Sequence, residues 1–225
     1  MNSKQVIDSQ RMIYDAQIKE HGDSPKSTHN QLIEIQNLRF ERLLANIDLK
    51  NYGSIHDIGC GICDLHQYLN DRKSNLIYSG TDIVPAMKKL VSSKYPEVDY
   101  YLRDIIKDNI KVNYDFVVLS GTFNLPGNID RKEWKVFTRR MILSMYKMAK
   151  KGIAFNFLTK KADFYDPKMF YESVEDIFEF CLKKISRHVY IDHSYPLYEF
   201  SCTVLKPNSV KERYSKKIFN KYFKG

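Results

Sequence analysis

The stretch Ser54–Leu65, reading Ser-Ile-His-Asp-Ile-Gly-Cys-Gly-Ile-Cys-Asp-Leu, constrains the fold of this 225-residue chain more than any other. It has the form of a short strand, a glycine turn and the start of a helix. Ile55 and Ile58 suit a buried strand, with Asp57 near its carboxyl end. Gly59 and Gly61 then permit positive φ and let a ligand approach bare backbone. The helix opening near Asp64 points free N–H groups at that ligand. Such a loop, at the carboxyl end of a parallel strand, is where open α/β sheets bind small molecules.

Three chemistries fit these residues to different degrees. A dinucleotide site wants G-x-G-x-x-G after a strand, and the third glycine would fall at Asp64. A redox pair is spelled by Cys60 and Cys63, a C-x-x-C at a strand-to-helix turn. It lacks the aromatic residue expected before the first cysteine, since Gly59 stands there. The third is a D-x-G-x-G loop, matched by Asp57, Gly59 and Gly61. On that loop the chain resembles the class I S-adenosylmethionine-dependent methyltransferases. The family's third loop glycine is Cys63 here, a departure from its pattern.

From Ser54 onward the pattern alternates strand and helix, which predicts a parallel sheet with helices on both faces. Strands are expected at 54–58, 76–81, 98–102, 114–120 and 152–158, with helices at 64–71, after Pro85, after Asp130 and after Ser173. Asp130 with Glu133, and Ser173 with Asp176, have the spacing of helix N-caps. Two last strands, about 185–191 and 197–205, are joined by a turn short enough for an antiparallel hairpin. Five parallel strands and a terminal hairpin make the seven-stranded, Rossmann-like α/β sheet that the resemblance implies.

Residues 1–53 read as a helical lead-in that could lie over the binding edge as a lid, 54–205 as the S-adenosylmethionine-binding domain, and 206–225 as a basic tail. The lead-in helices are expected over 1–20 and about 30–47. Of the net charge of +9, the tail supplies +6, from seven Lys or Arg against one Glu. The nearly neutral body argues against a whole domain that grips nucleic acid. In the tail Val210, Tyr214, Ile218 and Tyr222 recur every four residues, which predicts one amphipathic basic helix. Such a helix would suit an anionic partner, RNA or a membrane surface.

The resemblance assigns roles to further strand ends. Asp82, 23 residues after Gly59, is expected on the ribose hydroxyls and Asp104 on the adenine amino group, with Ile83 and Ile105 flanking the ring. Ser120 and Gly121 are expected at the methionine portion, beside Asp57, Gly59, Cys60 and Gly61. A narrower group of small bacterial methyltransferases is similar at Gly22–Pro25, at Gln36–Phe40 and at Ser120–Asn124. That similarity implies that Arg39 pairs with the cofactor carboxylate, as a guanidinium can. For the acceptor, Tyr14, His21, Phe123, Asn124 and Tyr195 are the expected contacts, and His193 at the hairpin tip is the first choice of general base.

The chemistry implied is methyl transfer from S-adenosyl-L-methionine to an oxygen or nitrogen of a small metabolite or sugar-type acceptor. An RNA or protein substrate engaged through the tail is the alternative, as is a binding protein without transfer. After the fourth strand the chain has Gly-Thr-Phe-Asn-Leu-Pro, residues 121–126, where an exocyclic-amine methylase would carry Asn/Asp-Pro-Pro-aromatic. No metal-ligand spacing stands out, so no metal is expected. Four scattered cysteines in a chain of this size suit a reducing cytoplasm. No apolar h-region or run of roughly 20 apolar residues is visible, so neither a signal peptide nor a membrane span is expected.

Overall fold

A computed structural model describes residues 3–22, 32–108 and 110–223. The lead-in forms helices α1 (Ser3–His21) and α2 (Ile33–Leu44). Most of the expected Gly22–Pro25 motif, and the expected start of the second helix at Asn30, lie outside the described residues. Strands β1 (Gly53–Ile58), β2 (Leu76–Asp82), β3 (Asp99–Leu102), β4 (Tyr114–Leu119) and β5 (Ala149–Thr159) follow. They alternate with helices α3 (Asp64–Asp71), α4 (Pro85–Lys94) and α5 (Arg131–Met148). Then come β6 (Tyr171–Glu172), α6 (Val174–Lys184), β7 (Val189–Asp192), β8 (Glu199–Leu205), α7 (Pro207–Arg213) and a 3₁₀ turn at Lys217–Phe223.

The sheet order is β3-β2-β1-β4-β5-β8-β7, with β6 paired to β5 off this path. β1 to β6 pair in parallel, and β8 runs antiparallel to both β5 and β7. The expected sheet is therefore present with one short strand added. The chain leaves β1 toward β2 on one side and returns at β4 on the other, so the topological switch point lies between β1 and β4.

Alternate residues of the central strands feed two cores, as a period of two requires. Val117, Leu119, Ile153 and Phe155 face Trp134, Ile142 and Met145 of α5. Phe116, Val118 and Ala154 face the opposite layer, with Leu43 of α2, Leu69 of α3 and Met87 of α4. Both expected caps form. Asp130 accepts from the N–H of Lys132 and Glu133, and the Ser173 side chain accepts from that of Asp176.

Three boundaries differ from expectation. Residues 185–188 form the turn that leaves α6 instead of opening a strand, since Ile185 and Ser186 donate back to the Cys181 carbonyl. β5 starts at Ala149, because Tyr114 of β4 supplies a partner there. The tail is not one helix. α7 closes at Tyr214, which has left helical geometry with φ −115° and ψ 56°, so Tyr214, Ile218 and Tyr222 do not form a continuous stripe. All three are more than 49% exposed, while Val210 packs against the core.

Candidate active site

At the switch point one cavity gathers the strand ends. It is lined by Asp57, Gly59, Cys60 and Gly61 after β1, by Asp82 and Ile83 after β2, and by Asp104 and Ile105 after β3. Ser120, Gly121, Thr122 and Asn124 after β4 line it as well. The glycine loop has the backbone its sequence promises, with Gly59 at φ +69° and Gly61 at φ +52°. Cys63 is in the left-handed region too, at φ +63°, so this non-glycine residue holds the conformation that the third family glycine would adopt freely. Cys60 and Cys63 are free, buried thiols. Burial pushes the Cys60 thiol well up, which leaves it the inert protonated form.

Asp57 and Asp82 are buried, with half-buried Asp64 close enough to act on Asp57. Asp57 accepts a hydrogen bond from the Tyr78 hydroxyl at 3.0 Å. Burial raises its carboxyl to about 8, with the Tyr78 bond opposing and the neighbouring Asp82 and Asp64 adding to the rise. Asp82 ties the loops together: Oδ2 accepts from the Gly61 N–H at 2.9 Å, and Oδ1 from Ile83 N–H at 2.6 Å and Val84 N–H at 3.1 Å. Burial nonetheless pushes the Asp82 carboxyl up, with these three bonds pulling it down. Asp64 opens α3 and accepts from Gln36 Nε2 at 2.7 Å. A group of carboxylates desolvated in this way favours a cationic ligand beside them.

The lead-in helices form one wall. Ile7, Gln10 and Tyr14 of α1 line the cavity, as do Gln36, Arg39 and Phe40 of α2. α1 is tied down by Gln10 Nε2 to the Leu125 carbonyl at 3.0 Å and by Arg11 Nε to the Ile83 carbonyl at 2.8 Å. Burial, then the nearby Asp82, push the Tyr14 phenol above its ordinary range. Arg39 is engaged by Glu199, with Nε at 3.0 and 2.9 Å from its two oxygens. Glu199 outweighs the effect of burial, which would lower the guanidinium, and holds it more firmly protonated.

Every expected cofactor residue thus lines the cavity. Among the expected acceptor contacts the cavity takes Tyr14 and Asn124. Phe123 points into the core, stacked on Phe157 with ring centroids 4.7 Å apart. Tyr195 is buried with its hydroxyl 3.1 Å from Ser201 Oγ, and His21 ends α1 beside Glu20; neither lines the cavity. His193, expected as a base, also stays out of the cavity wall and sits edge-on to Phe200. The hairpin tip is on the expected edge, because β7 runs parallel to β5. However, β8 lies between them, which moves β7 about 10 Å sideways.

Sequence reasoning passed over Gln10, Gln36, Asp64 and Met169, which also face the cavity. Only Asp64, the first residue of a helix in a glycine loop, carried a signal in the chain itself. Met169 arrives through the 159–172 connection, whose Phe170 N–H donates to the Asn124 carbonyl at 2.8 Å.

No protein-family model matches the chain. A Mycobacterium tuberculosis protein provisionally named a methyltransferase, Rv1506c, is 28% identical over 158 residues, which are 68% of this chain and 93% of that protein. The magnesium protoporphyrin IX methyltransferase of Synechocystis PCC 6803, solved with S-adenosylhomocysteine, superposes with a TM-score of 0.63 at 15% identity, over 91% of this chain and all (100%) of that one. The chain has the fold of the S-adenosylmethionine-dependent methyltransferases and is similar in sequence to a protein provisionally named a methyltransferase. The N-methyltransferase NodS of Bradyrhizobium japonicum, also solved with S-adenosylhomocysteine, shares the methyltransferase fold at a TM-score of 0.57 and 13% identity, over 87% of this chain and 98% of that one.

Proposed function

We propose that this methyltransferase moves the methyl group of S-adenosyl-L-methionine to an oxygen or nitrogen of a small-molecule acceptor, a metabolite or sugar-type compound. The observation that carries the reading is the convergence of Asp57, Asp82, Asp104 and the Gly59–Gly61 loop on one cavity walled by α1 and α2. The residues suit the cofactor chemically. Open space beside the bare backbone of Gly121 leaves room for close approach, and the buried carboxylates of Asp57 and Asp82 complement a cationic sulfonium and ammonium. When bound, S-adenosylmethionine supplies a methyl group already activated by its positive sulfur.

In this reading Asp82 holds the ribose hydroxyls, Asp104 the adenine amino group, and Ile83 and Ile105 the faces of the ring. The loop at 57–61 and the backbone of Ser120 and Gly121 hold the methionine portion, with Arg39 near its carboxylate. Asn124 and Leu125 after β4, Leu158 near the end of β5 and Met169 from the 159–172 connection line one wall and give the acceptor a largely apolar seat. The chain's task is to bind, align and exclude water. Tyr14 is too firmly protonated to act as a base.

The second reading, a macromolecular substrate held by the basic tail, is less well supported. Lys206 N–H donates to the Lys151 carbonyl, so the tail leaves from the amino end of β5. The cavity is at the carboxyl end, about 23 Å away along the strand between 151 and 158. We also place the protein in the cytoplasm; among the described residues no helix is long and apolar enough to cross a membrane.

Calorimetric titration with S-adenosylhomocysteine, beside an Asp82→Ala control, tests the reading. Binding with Kd on the order of micromolar, lost in the control, supports it and justifies acceptor screens with labelled cofactor. A wild type that binds nothing removes it.

A further inference from the structure

A polar chain through the sheet connects the lid to the glycine turn after β4. Glu199, the first residue of β8, is 2% exposed. Both of its oxygens accept from Arg39 Nε, and it is also paired with Arg39 Nη2. Its Oε2 further accepts from Asn156 Nδ2 at 2.8 Å. Asn156, fully buried in β5, accepts through Oδ1 from the Gly121 N–H at 2.8 Å. The connection runs α2, β8, β5, post-β4 turn without a break. Its two ends, Arg39 and Gly121, line the cavity, and its two middle members do not.

A buried carboxylate is costly unless it is paired and hydrogen-bonded, and a buried ion pair is seldom kept for stability alone. The other charged tie from α2 to the hairpin, Arg42 to Asp192 at 3.7 Å, is partly exposed and correspondingly weak. We propose that Glu199 is a positioning residue for cofactor binding, pinning lid helix α2 through Arg39 and fixing the Gly121 N–H through Asn156. This rests on the cavity being the cofactor site. Glu199 itself touches no ligand. It sets how long α2 stays against the cavity and where the Gly121 turn presents its backbone. Only a guanidinium can grip both oxygens in this planar fork, so Lys at position 39 is not an equivalent.

The test pairs hydrogen exchange of the free protein with titration of S-adenosylhomocysteine. Wild type, Glu199→Gln, Arg39→Lys and the double variant are compared. In Glu199→Gln, amides of 33–44 should exchange about tenfold faster while those of β1 and β4 keep wild-type protection, and affinity should fall about tenfold. Over 33–44 the double variant should exchange no faster than the faster single one, because both changes cut the same Arg39–Glu199 link. Wild-type exchange over 33–44 with wild-type affinity in Glu199→Gln overturns the proposal, as do increases in exchange over 33–44 that add in the double variant. A purely structural ion pair would lower the melting temperature and leave both readouts of the folded protein in place. If Glu199→Gln fails to fold, exchange over 33–44 in free Arg39→Lys, which keeps the charge and breaks the fork, decides the matter: faster exchange supports the proposal and wild-type exchange overturns it. A wild type that does not bind S-adenosylhomocysteine sinks the cofactor reading, and this role with it, whatever the exchange of α2 shows.

Discussion

A Cβ on Gly59 would lie 2.2 Å from Thr122 Oγ1, on a backbone already at φ +69°. Left-handed geometry costs an alanine roughly 1 kcal/mol, and the overlap about 1–3 kcal/mol more. Gly59→Ala should therefore lower the melting temperature by about 5–10 °C in a chain of this size, and Thr122→Ala on top should recover part of it. Thermal melts of the three variants check this. Asp57 makes a pH prediction. Its carboxyl rises from 3.8 to about 8 on folding, so the folded state holds a proton that the unfolded state has released. Its contribution is intact below about 4 and is lost as pH climbs toward about 8, so the free protein should be destabilised over that interval. His56 acts the other way: burial, then Arg103, lower its imidazole to about 3, which penalises acid conditions. The difference between wild type and Asp57→Asn isolates the aspartate. Across the interval, denaturant midpoints should fall more steeply with rising pH in wild type than in the variant.

At the scale of elements, α5 joins the core to the cavity. Trp134, Phe137 and Met141 of this helix line the cavity floor, and Trp134 Nε1 donates to the Phe123 carbonyl at 2.9 Å. Trp134 is the chain's only tryptophan. Its emission should therefore change on saturation with S-adenosylhomocysteine, with a midpoint equal to the calorimetric Kd. An unchanged spectrum alongside calorimetric binding would place the ligand away from α5. This helix was legible in the chain, since Asp130 and Glu133 cap it and its apolar residues recur at helical spacing. That its first turns form the floor of a site was not legible, because Trp134 and Phe137 read as ordinary core.

For the whole molecule, the charge lies apart from the chemistry. Residues 217–223 contain no buried side chain. Deleting 214–225 removes four lysines from a net charge of +9 and should leave the melting temperature and S-adenosylhomocysteine affinity unchanged. If the tail meets an anionic surface, the same deletion abolishes salt-sensitive sedimentation with anionic lipid vesicles. Equal sedimentation of the full chain and the truncation would end that idea.

What the linear chain determined is everything carried by local chemistry. The strand–glycine–helix stretch, the acids closing β1, β2 and β3, and the caps at Asp130 and Ser173 each depend on a few neighbouring residues. Backbone freedom, strand period and N-cap hydrogen bonding act at that range. Tertiary structure decided what depends on distant partners. The insertion of β8 between β5 and β7 took His193 and Tyr195 away from the cavity that their position in the hairpin suggested. The fold of α2 onto the sheet gave Arg39 a partner 160 residues away in Glu199. The placing of α1 and α2 over the cavity made walls of Gln10 and Gln36, whose side chains look solvent-facing along the sequence. The tail lost its helical stripe where the backbone turned at Tyr214. Those outcomes follow from long-range pairing and desolvation, which have no period in the sequence to announce them.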